Sequence, residues 1–551
     1  MGTTIGQSSS GEGGRPTAEA AGGGVSAWAP LRRRVFRSLW LAQLVSNVGS
    51  WMQTVAAQWT VVHEPNAATL TSTVQAASLI PVLFVSLPAG VLADVLDRRR
   101  LIAMLTAAMT VVTAGLAVLS AAHLVTPATL ITITFLLGVC QALSSPAWQA
   151  IQPELVPRKE LPAAAALGSL NVNVARAVGP ALAGVVLALS SPALVFGINA
   201  VTDLAVLAAV LAWRRDAGVA AAGEPLVPAL RAGGRYVRNA PGVRRILVRA
   251  GLFVLPASAL WGLLPVVANA RLGLGSGGYG LLLGALGVGA VTGALLMKTL
   301  RAHLGRNTLL GAASVAYALG GLACATLHSW ALVAVLLLLA GFGWLVSLST
   351  LNTTLQLALP GWVRARGLAV YVMVFIGGQG VGALLWGLVA GVIGTTDALL
   401  AATALLVAGV LSLPVLPIRA LTGTLDRSVV TPWLEPEIGG VADEHEKADP
   451  AAGPVLVEVA YRVIPERATE LLTALHALGR SRRRTGAVRW GVFRDISDPD
   501  RYLEVFEVPT WGEHLRQHHE RTTGFDAELY VEAAALAVEP PRARHLLPPP
   551  E

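Results

Sequence analysis

Along this chain apolar residues arrive in long blocks with almost no charge inside, separated by short polar connections. Blocks of about twenty residues match the helix length that crosses the hydrocarbon core of a bilayer. They fall at 37–62, 69–93, 101–122, 128–150, 166–190 and 193–213. After a polar stretch they resume at 246–269, 279–300, 308–327, 331–356, 367–392 and 396–416. The pattern predicts an all-α polytopic membrane protein of twelve transmembrane helices, with a linker at 216–245 between an N-terminal bundle (31–215) and a C-terminal bundle (246–418).

From about 418 the character changes. Residues 419–453 are rich in Pro, Gly, Asp and Glu and read as a second linker. Val455–Val463 then alternates like a strand, and Glu466–Arg484 has helical periodicity. Val488–Arg494 and Tyr502–Val508 are strand-like, Thr510–Thr522 reads as a helix, and Ala533–Val538 as a last strand. The order βαββαβ predicts a small α+β ferredoxin-like domain over 454–540. Residues 1–30, rich in Gly, Ala and Ser with no apolar stretch ahead of Arg32, read as a disordered tail and not as a cleaved signal.

Charge fixes the orientation. Arg32, Arg33, Arg34 and Arg37 precede the first span, and Arg98–Arg100, Arg158–Lys159, Arg301/Arg306 and Arg364/Arg366 occupy the even-numbered connections. The central connection adds seven arginines between Arg214 and Arg245, whereas the opposite loops carry only Arg271. This asymmetry places both termini in the cytoplasm. It also accounts for the net charge of +8 without nucleic acid. Only 13% of residues are charged, against about 25% in soluble domains, so a soluble fold is excluded. Arginine far outnumbers lysine, as in GC-rich bacterial coding, and the membrane is read as a bacterial cytoplasmic (inner) membrane. Cys140 and Cys324 sit inside apolar blocks and offer neither a disulfide frame nor a metal set.

Slid along itself by 203 positions, the chain pairs Gly90 with Gly293, Arg98 with Arg301, Gly138 with Gly341, Pro157 with Pro360, Gly179 with Gly382 and Gly184 with Gly387. One offset serving corresponding helices argues for a duplicated six-helix unit with a substrate path between the copies. The bridging segment Pro228–Asn239 is read either as a basic amphipathic helix lying on the inner leaflet or as a solvated linker.

The segment Gly90-Val-Leu-Ala-Asp94-Val-Leu-Asp97-Arg98-Arg99-Arg100 resembles the loop motif of the major facilitator superfamily. That resemblance implies two six-helix repeats and gating roles for Gly90, Asp94, Arg98 and Arg99, the glycine permitting close helix packing. The second-half copy keeps Gly293 and Arg301 but has Met297 where the acid would stand. Arg176-Ala-Val-Gly179-Pro180-Ala-Leu-Ala-Gly184 resembles the antiporter motif of the same superfamily, with Ala183 in place of one glycine. Gly179, Pro180 and Gly184 would let the helix rock against a neighbour.

Arg176 and Asp203 are the clearest ionisable residues deep within the spans, where such groups need a partner or a water-filled cavity. They are read either as a structural ion pair or as a proton-coupling site with Arg176 tuning Asp203. Gln43, Asn47, Gln53, Gln141, Gln149, Asn352, Gln356 and Gln379 are candidates for a substrate cavity or for interhelical hydrogen bonds.

Phe36–Met52 and Ser145–Pro157 resemble exporters similar to the enterobactin exporter, the transmembrane secretion effectors. This resemblance implies export of siderophores, antibiotics or other hydrophobic small molecules, and with Asp203 as proton site the function expected is proton-coupled export of a drug, siderophore or secondary metabolite. Around Val505–Trp511 and His514–His519 the C-terminal unit resembles the antibiotic-biosynthesis-monooxygenase type of domain. His514 and His518, four apart on a helix, lack a carboxylate or cysteine to complete a metal set and read as a polar helix face. The domain is read as a dimerisation or regulatory module, with no cofactor and no metal. The alternatives are a fusion to an active monooxygenase-like enzyme, and an uncoupled facilitator or importer. No phosphate-binding Gly-x-x-x-x-Gly-Lys-Ser/Thr loop is present, which excludes ATP as the direct energy source within this chain. The implied partners are a small-molecule substrate, protons and the lipid bilayer.

Overall fold

The computed structural model describes residues 26–214, 226–418 and 449–548, without the side chains of Leu87, Val91, Asp94, Val95 and 226–230. The expected tail at 1–30 and the linker at 419–453 lie largely outside the described residues, as does the start of the central linker. The N-terminal half comprises α1 (Arg34–Thr60), α2 (Ala67–Leu79), α3 (Pro81–Val95), α4 (Arg98–Ala121), α5 (Pro127–Leu155), α6 (Leu161–Leu189) and α7 (Pro192–Ala212). Among the described residues ten helical segments are long and apolar enough to span a bilayer. Phe84, Val111, Val118, Leu295 and Val392 point outward, an apolar exterior suited to lipid. The α1 helix packs between α6 and α7 but is diluted by Gln43, Ser46, Asn47, Ser50, Gln53 and Gln58.

Leu226–Asn239 forms α8, after which the second half runs through α9 (Pro241–Val266), α10 (Ser276–His303), α11 (Arg306–Thr326), α12 (Trp330–Ala358), α13 (Arg364–Val372), α14 (Gly378–Ile393) and α15 (Thr395–Leu411). A π-turn at Met373–Gly377 joins α13 to α14. The offset of 203 residues recurs in the backbone: α5 runs from Pro127 to Leu155 and α12 from Trp330 to Ala358. Even the 3-10 turn Arg158–Glu160 recurs as Gly361–Val363.

The paired glycines explain why the frame repeats. A Cβ on Gly179 would stand 3.0 Å from the Val48 carbonyl of α1, and one on Gly382 2.7 Å from the Leu255 carbonyl of α9. Likewise Gly184 packs on Gly280 of α10, and Gly387 on Ser72 of α2. The first pair closes each half and the second joins the halves, because the missing side chain lets backbones touch. Gly90 departs from its expected packing role: among the described atoms, a Cβ there would meet nothing within 4 Å.

Over the end of the bundle where α8 lies sits a four-stranded antiparallel sheet, β1 (Val455–Arg462), β2 (Arg489–Arg494), β3 (Arg501–Val508) and β4 (Arg542–Leu546), in the order β2-β3-β1-β4. Between strands run α16 (Ala468–Thr485), α17 (Trp511–Arg516) and α18 (Gly524–Ala534). Val455, Val457, Val459 and Tyr461 alternate inward against Leu471, Leu475 and Leu478 of α16. This is the ferredoxin-like outline, with one correction. The stretch expected as the last strand, Ala533–Val538, ends α18 and its following turn, and the strand comes later, at Arg542–Leu546. Thr523 and Asp526 form a capping box that starts a helix there, which overrides the apolar strand-like run.

The central linker is also corrected. The helix forms and packs against protein, so this part of the segment is not a solvated linker. Gly233 abuts the Arg366 stem, Tyr236 meets the Trp362 ring edge-on at 5.6 Å, and Arg235 donates to Glu513 of α17 at 2.7 Å.

Candidate functional site

Between the halves lies a cavity of about 750 Å³, lined by α1, α5, α6 and α12. Its walls include Phe36 and Trp40 from the start of α1, Gln152 from the end of α5, Ala164 from the start of α6 and Gln356 from the end of α12. All four helix ends belong to the side carrying α8 and the C-terminal domain, here termed the linker side. The cavity extends inward to Arg176.

On the far side the halves are joined tightly. Thr69 donates to the Gly387 carbonyl at 3.0 Å and Thr71 to the Gly262 carbonyl at 3.0 Å. Gln58 donates to the Trp261 carbonyl at 3.2 Å and accepts from the Tyr279 hydroxyl, while Trp59 stacks on Tyr279. These hydrogen bonds cross the seam, so opening it breaks several of them at once.

Of the sequence candidates, Gln43, Asn47, Gln141, Gln149 and Gln356 line the cavity. Asn47 donates to Asn171, which donates in turn to the Trp40 carbonyl, so the polar wall is held in place. Gln379 and Gln53 are buried elsewhere, Gln53 accepting from Asn199, and Asn352 accepts from Gln356 without lining the cavity. Sequence reasoning missed Trp40, Trp148 and Asn171 because helical rotation decides which residues face inward. It also missed the aromatic cluster deeper in the bundle, where Trp344 contacts Phe253, Trp261, Tyr317 and Phe375 at 5.4–5.7 Å between ring centres.

Arg176 and Asp203 are not brought together. Asp203 is 1% exposed on the α7 face toward α1, where Ser46 donates to Oδ1 at 2.7 Å and Oδ2 has no partner. Arg176 instead lines the cavity, its guanidinium 5.6 Å from the Trp51 ring centre, with Nε and one terminal nitrogen unpartnered. Of the two readings the ion pair does not form, and the residues stand as two separate sites, a carboxyl between helices and a cation at the cavity wall.

In the loop motif, Asp97 caps α4 by accepting from the Arg100 amide at 2.8 Å. Arg99 donates to the Val210 carbonyl, binding the last turn of α7, where a cation suits the helix dipole. Arg98 reaches Glu154 at 2.8 Å, and its repeat partner Arg301 reaches Ser349 and Thr353 of α12. Asp94 lies on the last turn of α3, its side chain outside the described positions. Arg249, missed at a block edge, is 3% exposed and donates to the Gly409, Ser412 and Leu416 carbonyls, fixing the end of α15.

In the C-terminal domain, Glu513 accepts from both Arg235 and Arg521, and the Arg521 guanidinium lies over Trp362 at 5.3 Å. The domain is thereby docked on the second half of the bundle. Beside Glu513, His514 and His518 meet a third imidazole, His545 of β4. Burial, reinforced by the neighbouring histidines and Arg482, pushes His514 down to about 2; burial and Arg482 push His518 down to about 4.

Two related helical halves with a cavity between them define a transporter of the major facilitator type. The profile of the transmembrane secretion effectors matches residues 25–549, and the chain belongs to that family. Its similarity to the enterobactin exporter EntS of Shigella boydii is 29% identity over 396 residues, covering 69% of this chain and 91% of the relative. Against the staphyloferrin A transporter of Staphylococcus aureus it is 33% identical over 142 residues, 26% of this chain and 36% of that protein. Solved structures share the fold at low identity. They include the POT family transporter PepTSo (TM-score 0.59, 12% identity, 70% of this chain and 97% of that one) and a D-xylose-proton symporter (TM-score 0.56, 14% identity, 70% and 99%).

Proposed function

We propose that this chain is a twelve-span, proton-coupled exporter of small hydrophobic molecules in a bacterial inner membrane, with both termini and the C-terminal domain in the cytoplasm. The carrying observation is the cavity of about 750 Å³ set at the linker side and sealed on the far side. With the arginine-rich loops inside, this is the cytoplasm-facing state of an alternating-access cycle. Trp40 and Trp148 offer apolar surface, the glutamines and Asn47 offer hydrogen bonds, and Arg176 offers a cation for an anionic group. Asp203, apart from the cavity and held by Ser46, is the proton site of this reading. Siderophores are the favoured substrate class, since the similar proteins are an enterobactin exporter and a staphyloferrin A transporter.

The C-terminal domain, monooxygenase-like in outline, serves regulation and not catalysis, a role supported by its docking through Glu513 and Arg521. Leu456, Phe493 and Leu546 are exposed on the outer face of its sheet and support dimerisation there. Everted membrane vesicles test the main claim. Energised with an inside-acid gradient, they should accumulate one or more of a panel of hydrophobic dyes and siderophores, and an uncoupler should abolish it. Accumulation only in right-side-out vesicles would establish an importer instead.

A further inference from the structure

We propose that His514, His518 and His545 form a binding site for one divalent first-row transition-metal ion in the C-terminal domain. Their candidate ligand atoms all lie within 4.8 Å of one another, and Nε2 of His514 is 3.1 Å from Nε2 of His518. Ligand nitrogens on a tetrahedral ion, with bonds of about 2.0–2.1 Å, stand roughly 3.3 Å apart. The helical pair already has that separation, and His545 need close by only about 1.5 Å.

The surroundings hold the three rings in place. His545 lies opposite Val457 in the sheet register, on the face turned toward the helices, and the Trp511 ring packs against both His514 and His545. A π-turn, Gln517–Arg521, begins one residue before His518, a local rewinding of the kind that re-aims side chains at functional sites. His514 is fully buried with its Nδ1 unpartnered, so the three imidazoles make a poor apolar core. Arg482 is turned to Glu504 at 3.3 Å. An all-imidazole set suits zinc, copper, nickel, cobalt or iron over magnesium or calcium, and three protein ligands leave a fourth position open.

The test uses full-length protein in detergent, freed of any polyhistidine tag, stripped with chelator and titrated with Co²⁺. The proposal expects one Co²⁺ per chain, visible absorption bands of a four-coordinate site, and displacement by Zn²⁺. His545→Ala, on an edge strand, should weaken binding about 100-fold or more, with His545→Gln as a second variant and the thermal transition recorded for each. His519→Ala, on the exposed neighbouring position, should leave binding unchanged. Wild-type protein that binds Co²⁺ no more tightly than His545→Ala, or equal weakening by His519→Ala, would overturn the site.

Discussion

At an offset of 203 residues the last three spans of each half begin at corresponding positions and the close-packed glycines correspond, yet the polar positions diverge. Asp203 corresponds to Leu406, Arg176 to Gln379, Asp94 to Met297, Asn47 to Ala250 and Gln141 to Trp344. In the first half these positions supply the buried carboxyl, the cavity cation and part of the polar wall. In the second, Ala250, Leu406 and Trp344 belong to the main apolar core and Met297 to a smaller one. Backbone contact constrains both copies because both must close the same interfaces. Chemistry is under no such constraint, and one half can carry it while the other provides a rigid partner.

The largest expected effect tests the shared frame. A Cβ on Gly341 would strike the Leu286 carbonyl, whereas Gly90 has open space, so Gly341→Ala should cost about 1–3 kcal/mol and Gly90→Ala almost nothing. Thermal unfolding of the two detergent-purified variants reads the difference, and equal stability would break the comparison. Next comes the unshared chemistry. Asp203→Asn should reduce pH-driven accumulation by about tenfold or more while sparing substrate counterflow, and Leu406→Ala should leave proton coupling intact. Full pH-driven transport by a well-expressed Asp203→Asn protein would remove the carboxyl from the mechanism.

Arg176→Gln copies the second half into the first. It should weaken binding of an anionic substrate by roughly tenfold, about 1–2 kcal/mol, without unfolding the protein. Equilibrium binding decides it, and unchanged affinity would take Arg176 out of the site. The smallest effect is at the loop motif: Arg98→Ala and Arg301→Ala each release a clasp on the neighbouring helix, at Glu154 or at Ser349 and Thr353. Exposed contacts of this kind are worth about 1 kcal/mol or less. Transport should slow a few-fold with binding unchanged, and a loss of binding would make these residues part of the substrate site.

Much of this frame was legible in the sequence because hydrophobic blocks, loop arginines and repeated glycines are local signals. Side-chain partners were less so. Arg176 and Asp203 share a depth in their helices but face different neighbours, and depth is all that a sequence reports. Asn352 and Gln379 were equally plausible by composition but lie off the cavity wall. The three-histidine cluster was hidden by a misplaced strand. Reading Ala533–Val538 as the last strand left His545 beyond the fold, although Thr523-Gly-Phe-Asp526 carried the capping pattern that signals a helix.

The central claim is that transport requires the far-side seam to open. Thr69 and Gly391 face each other across it, a Cβ on Gly391 standing 2.7 Å from the Thr69 hydroxyl. In a background with Cys140 and Cys324 replaced by alanine, Thr69→Cys with Gly391→Cys can form a disulfide across the halves. Oxidation should stop transport while leaving substrate binding from the linker side intact, and reduction should restore it. Transport at the full rate with the crosslink in place would contradict the account.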